Sequence, residues 1–117
     1  MAAPTTKMNH EGRYWEYTPG SAVAAGDIIE IIDSTTVGLV GHASLDIAAN
    51  EAGSLLVDEV LTVNLLSGDE PTLGALMYWD ATLKTASITA GTDCLMGRCA
   101  KAWATGETTV QIHINKR

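Results

Sequence analysis

Phenylalanine is missing from this chain of 117 residues, and only three tryptophans and three tyrosines stand in its place. A core must therefore be assembled from Ile, Leu, Val and Ala around a few aromatic rings. Cations are scarce as well. Seven Lys and Arg face fourteen Asp and Glu, for a formal charge of −7. The seven are Lys7, Arg13, Lys84, Arg98, Lys101, Lys116 and Arg117, and they form no run. Without clustered cations the chain lacks the electrostatic footprint of a phosphate-backbone binder, so no nucleic-acid partner is expected. No stretch reaches the roughly 20 apolar residues of a membrane helix, so no membrane partner is expected either. The first residues lack the apolar segment of a secretory signal, which predicts synthesis and retention in the cytoplasm. There the two cysteines, Cys94 and Cys99, are expected as reduced thiols. Their spacing places them on opposite faces of one regular strand, which argues against a bond between them. Neither has His or Cys partners at metal-site spacing, so both read as small apolar fillers, with no metal and no cofactor implied.

Strand and turn signals alternate through the rest of the chain. Residues 1–12 show no hydrophobic period and read as an N-terminal arm, and residues 13–117 read as one β-rich domain. Tyr14-Trp15-Glu16-Tyr17 is aromatic and strand-prone and is stopped by Pro19-Gly20. Val23-Ala24-Ala25-Gly26-Asp27 reads as a turn into Ile28-Ile29-Glu30-Ile31-Ile32, a run apolar on both faces that suits a buried strand. Two glycines, Gly38 and Gly41, interrupt the next strand and predict a bulge or a close backbone approach. Residues 45–53 read as a loop and residues 54–65 as one long strand. Leu76-Met77-Tyr78-Trp79 is a further strand, with Asp80-Ala81-Thr82 turning it. The last strand has the cleanest alternation: Thr108, Val110, Ile112 and Ile114 against Thr109, Gln111 and His113. The sum is about seven or eight short strands, the pattern of a small single-domain all-β barrel or sandwich, with at most one short helical turn after Pro71.

Catalysis finds little support in the sequence. His10, His42 and His113 lie in three different contexts and read as surface or satisfied histidines. The adjacent carboxylates Asp58 and Glu59 point to opposite faces of an extended chain, so they form no dyad and read as solvated or interfacial. None of the eleven glycines precedes a lysine, so there is no P-loop. An enzyme is not expected. The aromatic segment Tyr14, Trp15 and Tyr17, with Lys7 and Arg13 beside it, is instead the candidate contact surface, because aromatic and cationic side chains dominate interface hot spots. Trp79 and Trp103 lie within apolar strands and read as core, with Met77 and Met96 filling gaps beside them.

An ordered set of segments carries a resemblance: Val23-Ala24-Ala25-Gly26-Asp27, Val37-Gly38-Leu39-Val40-Gly41, residues 46–53, Leu76-Met77-Tyr78-Trp79-Asp80, residues 97–102 and residues 106–112. Together they resemble the DUF2190 family of small phage head-decoration or capsid cement proteins, over about residues 20–115. Asn50 stands where that family usually has Gly, and Cys99 where it has a small or aliphatic residue. The resemblance implies a β-rich protein that associates with itself, as a homotrimer, and binds the major capsid protein on the outer surface of the assembled icosahedral head. In that role it stabilises the head. An alternative on the same fold is a head-displayed adhesion module that binds glycans or the host surface.

Overall fold

The structure is a computed structural model that describes residues 12–116. The arm of residues 1–12 therefore lies outside it except for Gly12, and so do Lys7, His10 and Arg117. Among the described residues there are nine strands and no helix, and so no helix long enough to cross a membrane. In chain order the strands are β1 (Tyr14–Tyr17), β2 (Ile28–Ile32), β3 (Leu39–Ala43), β4 (Gly53–Leu56), β5 (Val60–Asn64), β6 (Leu76–Asp80), β7 (Thr85–Ser87), β8 (Cys94–Cys99) and β9 (Thr109–Ile114). They form two antiparallel sheets, one ordered β1-β4-β3-β2 and the other β5-β9-β8-β6-β7. The chain is an all-β sandwich, and the helical turn after Pro71 is replaced by a reverse turn in which Gly74 has φ +84°.

The expected long strand over residues 54–65 is two strands in different sheets. The break falls at the charged pair Asp58-Glu59: Val57, Asp58 and Glu59 leave β4 and carry the chain across to β5. The five-stranded sheet curls until its edge strands touch at one end, where Leu65 bridges Ala86 in parallel and the Leu66 N–H donates to the Ala86 carbonyl at 2.9 Å. Inside the curl lies the main core, with Met77, Ala86, Cys94, Met96 and Ile112 fully buried and Trp79 nearly so. Val40 of β3 enters the same core and Ile28 of β2 packs against it, which is how the four-stranded sheet is seated on the other. Trp103 lies half-buried at its margin and donates its indole N–H to the Glu107 carbonyl at 2.8 Å.

The opposite face of the four-stranded sheet carries a smaller cluster of Val23, Ala43, Ile47 and Leu55, with Tyr17, Ile29 and Ile31 packed against it. Two loops cover it, tied by reciprocal backbone hydrogen bonds of 2.8 Å between Val23 and Ile47. The isoleucines of β2 pack against both faces, but β2 is an edge strand whose residues are half-buried or exposed, so the buried strand expected from its apolar run is not found. Gly41 allows the close approach expected of it, because a Cβ there would come within 2.9 Å of Leu55.

One bulge corrects the reading of the cysteines. Met77 faces Gly97 while Tyr78 faces Leu95, so Met96 is an extra residue in β8. The extra residue reverses the alternation beyond it. Cys94, opposite buried Trp79, and Cys99 consequently turn to the same core rather than to opposite faces, and both are free thiols. Gly97 is what the bulge needs, since a Cβ there would fall on the His113 carbonyl oxygen and lie 2.9 Å from the Ile114 Cα.

Candidate functional site

Among the described residues strand β1 is an edge strand, paired only with β4 in the register Tyr14 with Leu56, Trp15 with Leu55, Glu16 with Ser54 and Tyr17 with Gly53. Alternation puts Tyr14 and Glu16 on one face and Trp15 and Tyr17 on the other. Tyr14 is 41% exposed and Trp15 43%, whereas Tyr17 is half-buried against the smaller apolar cluster. Exposed Arg13 holds the start of the strand, its carbonyl accepting the Val57 N–H at 2.8 Å. Four of the five residues singled out from sequence therefore sit together at one sheet edge, and the fifth, Lys7, lies outside the described residues. The free backbone of an edge strand flanked by exposed aromatic rings is suited to contact with another chain.

Behind this edge the two sheets are joined by histidines that the sequence read as surface or satisfied and by carboxylates that it read as solvated or interfacial. His42 of β3 meets Glu59, Nδ1 to Oε1, at 2.7 Å, and His113 of β9 meets Asp58, Nε2 to Oδ1, at 2.7 Å. The neighbouring carboxylates do point apart, one to each sheet. Hydrogen bonding to His113 holds the Asp58 carboxyl below the usual carboxylate range. Asn115, in a left-handed conformation with φ 59°, completes the joint. Its Oδ1 accepts the Val40 N–H at 2.9 Å, and its Nδ2 donates to the carbonyls of Val40 at 2.8 Å and Val57 at 2.7 Å. Sequence reasoning gave Asn115 no role. Asn is, however, a residue type that tolerates this backbone region, and that was its one available signal.

A second group missed from sequence lies at the far end of β2. Glu30, Asp33 and Cys94 bring one oxygen or sulfur atom each within 4.8 Å of one another. Burial, then the hydrogen bond and charge of Asp33, raises the Glu30 carboxyl, and burial raises the Cys94 thiol. Cys94 donates its S–H to the Ile32 carbonyl at 3.2 Å. A protonated thiol already committed as a donor is a poor metal ligand, so the group reads as a hydrogen-bonded acidic corner. Between the β2 start and the β6–β7 turn is an open cleft of about 360 Å³, bordered by Asp27, Thr62, Asn64, Trp79 and Lys84. Asp27 there is engaged with the Ala24 N–H at 3.0 Å, and among the described residues no nucleophile with a hydrogen-bonded base lines the cleft. Asp80 behaves as its position suggested, its Oδ1 accepting the N–H groups of Thr82 at 2.9 Å and Leu83 at 3.1 Å to form the turn.

A family model described as phage cement protein matches residues 9–114. No curated protein and no solved structure matches the chain.

Proposed function

The chain belongs to the phage cement protein family, a structural, capsid-associated class, and from that premise we propose that it binds the outer surface of the assembled icosahedral head and stabilises it. The family match over residues 9–114 carries the reading, and it takes in the whole β1 edge. Exposed Tyr14 and Trp15, with Arg13 beside them, supply the contact to the major capsid protein, and residues 1–12 extend that contact as an arm. Copies bind as a homotrimer, so modest contacts multiply into high avidity without one large interface. Binding to the assembled shell and not to its separated subunits stabilises the shell by mass action. No reaction is needed for this role.

The test compares heads carrying the protein with heads stripped of it, following DNA release on heating or on addition of a chelator. Release at lower temperature or lower chelator concentration from stripped heads is expected. Equal release from the two preparations would refute the proposal.

A further inference from the structure

We infer that copies of this chain join head to tail, the cationic end of the five-stranded sheet's outer face on one copy docking onto the acidic corner around Asp33 on the next. The inference rests on the reading above that copies associate, and it adds the surfaces that do so. Strand register sets out the first surface: Val60 pairs with His113, His113 with Arg98, and Arg98 with Leu76, so these four side chains form one outward row across β5, β9, β8 and β6. Lys101 borders the same face beside Thr62 and Gln111. Arg13 and Lys116 approach it at Asp58, where both help hold that carboxyl ionised. Of the described Lys and Arg, only Lys84 lies elsewhere. Two acids on this surface are already engaged, Asp58 by His113 and Glu107 by the Ala104 N–H.

The second surface is at the other end of β8. Glu30, Asp33 and Asp93 gather there with Asp80 near enough to be felt, and Asp93 is raised by burial and then by the charges of Asp80 and Asp33. Among the described residues the close ion pairs are those of His42 and His113, so no Lys or Arg lies within ion-pair distance of the acidic corner and no carboxylate lies within that distance of a Lys or Arg on the first surface. Each surface also exposes apolar side chains beside its charges, Val60, Leu73 and Leu76 on the cationic side and Ile32 and Val37 on the acidic side. Exposed apolar side chains mixed with charges suit a protein contact, and here the charges of the two surfaces are of opposite sign. Within one copy the surfaces are held apart by the length of β8, about 16 Å of extended chain, so they meet only between copies. A contact between unlike surfaces is heterologous and closes into a ring where its rotation allows.

The experiment measures the mass of the full chain by sedimentation at about 100 µM and follows it from about 50 mM to about 500 mM salt. The wild type should be oligomeric and should dissociate as salt rises. Arg98→Glu with Lys116→Glu should weaken association at least tenfold, and so should Asp33→Lys. An equimolar mixture of the two variants should regain a complex, because each supplies the surface the other lacks. Lys101→Glu with Lys116→Glu, both at exposed positions, repeats the test in case Arg98→Glu disturbs its hydrogen bond to the Gly74 carbonyl, and thermal melts check each fold. A wild type of single-chain mass, variants of wild-type mass, or a mixture that stays dissociated would each overturn the inference. Charge reversal that spares the solution mass but abolishes binding to heads would make the shell the occupant, overturning this inference and leaving the capsid-binding reading intact. The expected masses with no binding to heads would do the reverse.

Discussion

The apolar cluster inside the curled five-stranded sheet is walled by strands on most sides and sealed by Val40 from the sheet above it, whereas the cluster on the far face of the four-stranded sheet lies beneath two loops. Both contain fully buried side chains, Ile112 in the first and Leu55 in the second. What separates them is how far their surroundings can follow a change. Strands fixed by ladders on both sides relax little around a cavity, while loops held by a pair of hydrogen bonds can settle into one. The walled cluster therefore carries more of the stability, and the loop-covered cluster lies beneath the exposed edge where contact is proposed.

Truncation tests that division most strongly. Ile112→Ala should cost about 3–5 kcal/mol and Leu55→Ala about 2–3 kcal/mol in urea denaturation, and an equal or larger loss at Leu55 would break the contrast. Next comes the joint that makes one body of the two sheets. Asn115→Ala removes three hydrogen bonds and puts a Cβ-bearing residue of poorer tolerance at positive φ, for a loss of about 2–4 kcal/mol. Asn115→Gly should recover only the backbone share, about 1 kcal/mol. If both variants melt like the wild type, Asn115 is not what holds the two sheets together.

Much of the first region could be read directly from the chain. The alternation of Val110, Ile112 and Ile114 gave the inward face of β9, and the apolar run ending in Trp79 gave β6, because period-two patterning is local information. The break at Val57–Glu59 could not be read that way. Its determinants are His42, His113 and Asn115, which reach it from two other strands and from the turn after β9, and the one local sign, the charged pair Asp58-Glu59, does not by itself end a strand. Likewise Glu30 and Cys94 meet only through the fold. The bulge at Met96 had one local sign, Gly97 within a strand, and misjudging it reversed the facing of Cys99. At the β1 edge, the aromatic spacing revealed a strand with Tyr14 and Trp15 on opposite faces, but which rings stay exposed depends on the loops above Tyr17.

Acidity sharpens the comparison in the opposite sense at its two polar sites. A carboxyl whose folded-state value is raised, such as Glu30, binds its proton more tightly folded than unfolded, so stability falls as pH rises through its ordinary value of 4.5 to the raised one. Glu30→Gln should therefore melt higher than the wild type at pH 7, with the gain vanishing below pH 4.5. Asp58, held below its ordinary 3.8, contributes stability above that value which is lost as pH falls through its lowered one, so Asp58→Asn should melt lower at pH 7 and match the wild type in strong acid. Identical pH profiles for the two variants would remove the distinction between the acidic corner and the joint. The smallest effect on folding belongs to the exposed edge. Trp15→Ala should change stability by about 1 kcal/mol at most while reducing retention on heads.

Asn115 also sets an order of events during synthesis. It closes onto Val40 across 75 residues of sequence, and strands β1 to β4 are all translated before any strand of the other sheet. The first sheet must then wait on the ribosome with Val40 and Leu56 uncovered until β9 and the turn after it emerge. Such a long-range closure makes for slow maturation and a nascent chain that is vulnerable meanwhile. Chains stalled at increasing lengths should accordingly stay sensitive to protease across residues 14–56 until Asn115 clears the exit tunnel.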